Sequence, residues 1–102
     1  MAKLIIVNPI AEAQAGTGNT KRFPPAPRPV SLNGKRVGFF WNAKAGGELA
    51  LARTKEHLQR LFPTASFVDY FGDEGTHMRR ASKNMTENMS REVDVVVGAT
   101  AD

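Results

Sequence analysis

From residue 31 onward the apolar positions alternate between short strand-like runs and helical stripes. The turn Ser31-Leu32-Asn33-Gly34-Lys35 leads into Arg36 to Trp41, where Val37, Phe39 and Phe40 predict a buried strand. Asn42-Ala43-Lys44-Ala45-Gly46-Gly47 reads as a βα loop. A helix is expected from about Glu48 to Phe62, with Leu51, Leu58, Leu61 and Phe62 on one face. Glu48 complements the positive end of its dipole, and Pro63 stops it. Ser66 to Phe71 predicts a second strand, followed by the loop Gly72-Asp73-Glu74-Gly75. A second helix is expected within Thr76 to Arg91, marked by Met78, Ala81, Met85 and Met89 at spacings of three and four. Asp94 to Val97 predicts a closing strand that runs into a small-residue loop. The order β-α-β-α-β predicts an α/β fold: a Rossmann- or flavodoxin-like layered parallel sheet, expected to be incomplete at its C-terminus.

Ahead of residue 31 the pattern weakens. Lys3 to Val7 predicts a short β-branched strand, ended by Asn8-Pro9. Ala11 to Ala15 has room for one helical turn, but Gly16-Thr17-Gly18-Asn19-Thr20 and Pro24-Pro25-Ala26-Pro27-Arg28-Pro29 do not continue it. The expected division is therefore an N-terminal strand and Pro-rich arm over 1–30, and an α/β unit over 31–102. The arm is expected to drape over a surface or a partner subunit.

Charge sharpens that division. Residues 1–40 carry six Lys or Arg against one acidic residue, and residues 41–102 carry eight against nine. The net charge of +4 thus belongs to the arm. Five basic residues there (Lys21, Arg22, Arg28, Lys35 and Arg36) are too thinly spread among prolines to read as a nucleic-acid motif, so a solvated arm or subunit clasp is the expectation. The chain has no cysteine, which excludes disulfides, thiolate metal sites and a cysteine nucleophile within these residues. No run is long enough for a signal h-region or a membrane span, so the expectation is a soluble, cytoplasmic chain without a membrane.

Several segments in order carry a family resemblance. They are Asn8-Pro9, Pro27-Arg28-Pro29, Leu32-Asn33-Gly34-Lys35-Arg36-Val37-Gly38, Trp41-Asn42-Ala43-Lys44 and, most telling, Asp94-Val95-Val96-Val97-Gly98-Ala99-Thr100-Ala101-Asp102. Together they resemble the UGSC family, named for a motif of selenocysteine or cysteine followed by Gly-Ser-Cys. In that family the motif directly follows a small-residue loop ending in Asp. The resemblance implies thiol or selenol redox chemistry on a thiol or other small-molecule substrate, with no bound cofactor. It also implies that the nucleophile would follow Asp102. Because selenocysteine is encoded by UGA, a reading frame truncated at that codon is the expected origin of this ending, and the chain is expected to be inactive as it stands.

The candidate site is then the edge beyond the strands' carboxyl ends, where open α/β sheets gather their chemistry. Asn42, Lys44, Gly46 and Gly47 on the first βα loop and Thr100 and Asp102 after the last strand are its expected lining. Lys44 can bind an anionic group or stabilise a selenolate, and Asn42 can donate a hydrogen bond; an ordinary turn with a solvated lysine explains the same residues slightly better. Gly16-Thr17-Gly18-Asn19-Thr20-Lys21 resembles a flavin-phosphate loop but lies too far from its strand and too close to prolines. His57 and His77 lack partners at ligand spacing, so no metal is expected. The methionines read as core. The competing class is a small non-catalytic α/β binding or oligomerisation module, a homo-oligomer formed through the arm or an exposed sheet edge.

Overall fold

The computed structural model describes residues 2–9 and 24–100. Its elements are β1 (Arg36–Trp41), α1 (Gly47–Leu61), β2 (Ser66–Phe71), α2 (Lys83–Glu92) and β3 (Val95–Ala99). The strands form a three-stranded sheet in the order β2-β1-β3, parallel throughout. The fold is α/β, as the alternating periods require.

Strand β1 sits in the middle and is the most deeply buried of the three. Val37 pairs with Phe67 on one side and Val95 on the other, and Phe39 lies between Asp69 and Val97. Val37 and Phe39 are the largest fully buried side chains, and Leu51 of α1 completes their cluster. Trp41, Leu58, Phe67, Val95, Val97 and Ala99 pack around it. Alternation along a strand puts Val37, Phe39 and Trp41 on one face, and α1 covers that face. Leu61, expected on the same stripe, is 68% exposed. At 3.6 residues per turn it sits about 80° around the helix from Leu51, beyond the edge of the buried stripe.

The opposite face is organised by a missing side chain. Gly38 leaves space into which the Tyr70 ring and Val93 press: a Cβ there would lie 2.9 Å from Tyr70 Cε2 and 3.2 Å from Val93 Cγ2. Leaning over the glycine, Tyr70 donates its hydroxyl proton to Glu92 Oε2 at 2.6 Å, tying the last turn of α2 to the sheet. At the start of β3, Asp94 Oδ2 accepts from the Arg36 backbone N–H at 2.8 Å and from its guanidinium at 3.5 Å. Asp94 N–H in turn donates to Arg36 O at 2.8 Å. The Arg36 amide, and secondarily its side chain, hold the Asp94 carboxyl below its usual range. This bracket is present above the ordinary carboxylate pKa and is lost as pH falls through the lowered folded value.

Two expectations change. Lys3 to Val7 joins no strand and is exposed, and the sheet consists of β2, β1 and β3 alone among the described residues. The second helix begins only at Lys83, leaving Met78 exposed and Ala81 in the loop before it. Ser82 is its N-cap, accepting from Met85 N–H at 3.1 Å, while Asp73 fixes Ser82 by accepting from its amide and hydroxyl, both at 2.7 Å. Gly75, at φ 99°, and the Glu74–Arg80 bridge turn the preceding residues away from a helix. The Ala11 to Ala15 turn and the Gly16 to Lys21 loop lie outside the described residues.

Tyr70 is the sole tyrosine, so its titration is directly observable. Its hydrogen bond to Glu92, then burial and the nearby carboxylate charge, push the phenol up to about 12. Absorbance at 295 nm should show that midpoint in the folded chain, and Glu92→Gln should bring it back toward 10. Since folding raises this pKa, the bond's contribution to stability is full below pH 10 and declines as pH rises toward 12.

Candidate functional site at the carboxyl edge of the sheet

Trp41 ends β1 and staples the loop that follows. Its indole Nε1–H donates to Lys44 O at 2.8 Å. Lys44 N–H donates to Asn42 Oδ1 at 3.2 Å, and Gly47 N–H donates to Lys44 O at 3.2 Å. Asn42 is only 4% exposed, so its amide is part of the loop's interior. Between them Ala43 adopts φ 72°, a left-handed conformation that costs a residue with a Cβ about 1–2 kcal/mol. Gly46, at φ 95°, is the N-cap of α1 and brings no side-chain cap. Instead Glu48 Oε2 folds back to accept the Gly46 N–H at 3.1 Å, leaving its carboxylate over the first turn.

The loop, α1 and β3 meet at Gly47. A Cβ on this buried glycine would stand 3.0 Å from Trp41 Cδ1, 3.1 Å from its Nε1 and 3.7 Å from Ala99 Cβ. Trp41 and Ala99 are also register partners across the β1–β3 ladder. Strand β3 therefore extends two residues past the expected Val97, because Gly98 and Ala99 still pair with Phe40 and Trp41. Thr100 follows, exposed at the same edge; Asp102 lies outside the described residues.

Residues 72–82 floor this edge, which the sequence pattern did not reveal. Gly72 N–H donates to Trp41 O at 3.1 Å, and Arg79 N–H donates to Asn42 O at 2.8 Å. The Arg79 guanidinium stacks 4.7 Å from the centre of the Phe71 ring, whose other neighbour is Trp41 at 5.1 Å between centroids. Trp41, Phe71 and Arg79 belong to the edge as much as Asn42 and Lys44 do. An aromatic residue closing each of β1 and β2, followed by a small or amide residue, was the available signal. The Asp73 carboxyl is held below its usual range by the Ser82 hydroxyl and then the Ser82 amide, so this loop keeps its brace down into moderately acidic solution. Among the described residues no group of His, Asp or Glu side chains is arranged to hold a metal ion, and His57 and His77 are exposed.

The family model of the UGSC family matches residues 5–102, which takes in every strand of the sheet and the whole of this edge. The chain belongs to the UGSC family. No curated protein and no solved structure matches it. The match covers the loop after β1 and the loop after β3 alike. No helix among the described residues is long and apolar enough to cross a membrane.

The two glycines beside this edge separate close packing from open space. A Cβ on Gly72 would lie 2.7–2.9 Å from Arg79 atoms, two of them backbone, whereas one on Gly98 meets nothing within 4 Å. Gly72→Ala should destabilise by about 1–3 kcal/mol as the 72–82 loop is pushed off β1. Gly98→Ala should be neutral or stabilise by up to about 1 kcal/mol. Urea denaturation of the two variants side by side checks this, and equal effects would contradict the packing.

Proposed function

We propose that residues 31–102 form the scaffold of a UGSC-family thiol or selenol redox unit, with residues 1–30 as an accessory arm. The reaction centre of that unit lies at the carboxyl edge shared by β1 and β3. The observation that carries the reading is the meeting of Trp41, Gly47 and Ala99 at that edge, inside the region that the family model matches. Strand order supports it. In sheets ordered 2-1-3-4-5 the ligand crevice opens between the carboxyl ends of the first and third strands, and this chain has the order β2-β1-β3.

The family motif would supply the nucleophilic chalcogen and a second thiol to resolve it, and these 102 residues contain no cysteine of their own. What they supply is position. The fifteen-residue α1 turns its N-terminus, which the Glu48 carboxylate partly occupies, toward the edge, and Lys44 adds a positive charge in the same loop that favours an anionic selenolate or thiolate nearby. The buried Asn42 and the left-handed Ala43 fix that loop, an expense in backbone strain of the kind found where a site must be held. Thr100, exposed just after β3, lies at this edge. The substrate class is a thiol, disulfide or other small molecule reached from solvent at this edge.

The deciding measurement joins a Cys-Gly-Ser-Cys segment in frame after Asp102 and follows its disulfide exchange with a small-molecule thiol. Exchange at least about ten-fold faster than that of the free tetrapeptide is the expected result. Exchange no faster than the free tetrapeptide's would overturn the redox reading.

A second reading, a binding or oligomerisation module, draws on a specific surface. Val68 and Val96 flank Gly38 in one row across the face turned away from α1, and both are exposed. If that row is an interface, sedimentation velocity should show a discrete dimer that Val96→Lys dissociates; a monomer at all concentrations would dismiss it.

A further inference from the structure

Helix α1 packs on β1 and β3, so the same face of β2 is left without a helix over it. The result is a cleft of about 450 Å³ between α1 and β2, within the size range of small-molecule sites. Phe39, Trp41 and Phe71 line its sheet side, and Leu51 and Ala52 line its helix side. Charged groups in its lining are Glu48, Lys55 and Asp69, two carboxylates against one ammonium. That balance is opposite in sign to the +4 of the whole chain.

We propose that this cleft binds a small aromatic molecule bearing a protonated amine. The aromatic wall favours a flat apolar body, and ring faces attract cations and repel carboxylates. Phe71 already holds a cation in this way, since Arg79 stacks upon it. Asp69 is 74% exposed at its side chain and engages Lys55 through Oδ2 at 3.3 Å, so its carboxylate stays accessible to an incoming ammonium. Glu48 likewise commits Oε2 to Gly46 N–H and keeps Oε1 for a ligand. A bound amine would join the Lys55–Asp69 pair as a second cation on the same carboxylate. The cleft borders the carboxyl edge through Trp41, Glu48 and Phe71, but the inference needs no chalcogen, so its failure and that of the redox reading are distinguishable.

Trp41 is the sole tryptophan and lines the cleft, so its emission reports occupancy in the intact 102-residue chain. Titration with benzylamine at neutral pH should give a saturable change in emission, with benzoate and benzyl alcohol each binding at least about five-fold more weakly. Asp69→Asn, at an exposed position, should weaken benzylamine by about three- to five-fold. Ala52→Phe places a ring in the cleft from an exposed helix position and should abolish the saturable change, while circular dichroism confirms that the helices remain. Linear, unsaturable quenching by benzylamine, equal binding of benzoate or benzyl alcohol, or an undiminished response in folded Ala52→Phe would each overturn the proposal.

Discussion

Both strand ladders of this sheet run through β1, and the rest of the architecture follows from that dependence. A parallel strand cannot be reached by a tight hairpin, so each partner of β1 must return over a crossover helix before it pairs. Burial on the α1 side rewards the return: Val37 and Phe39 lose essentially all contact with water, each contributing about 1.5–3 kcal/mol. The hydrogen bonds at the ladder ends then set register. Ser66 N–H donates to Lys35 O at 2.9 Å, and the Asp94–Arg36 bracket does the same for β3, so neither strand can slip without losing a bond at its entry.

Much of this was legible in the chain. The period-two runs of Arg36 to Trp41 and Ser66 to Phe71 and the helical stripe after Gly47 correspond to elements within a residue of their observed bounds. Local chemistry decided them: turn residues before each strand, a carboxylate in the first turn of α1, a proline after its end. The misreadings arose where a local pattern was overruled by long-range contacts. Lys3 to Val7 has strand composition but no partner. Met78 and Ala81 fit a helical stripe, yet Asp73 captures Ser82 across nine residues and resets the helix start. Val97 looked like the last strand residue because Gly98 and Ala99 are poor strand formers; pairing with Phe40 and Trp41 keeps them in the ladder.

The candidate edge was legible only in part, for the same reason. Asn42, Lys44, Gly46 and Gly47 are consecutive enough for turn chemistry to announce them. The participation of Arg79 and Phe71 depends on a loop folding back from a later crossover, and spacing carries no mark of it. Likewise the α1–β2 cleft exists because α1 leans toward β3, a packing choice that helical periodicity leaves undetermined. Side chains that gather by topology are invisible to pattern. Those that gather by adjacency are not.

The division of labour between Gly38 and Trp41 has one more consequence. The single tryptophan lies on the face covered by α1, and the single tyrosine leans across Gly38 on the face reached by α2. Nature has thus put one intrinsic chromophore on each side of a sheet one residue thick. Each layer carries its own optical signature, so the order in which the two helices detach during unfolding is written into the ultraviolet spectrum of the unmodified chain.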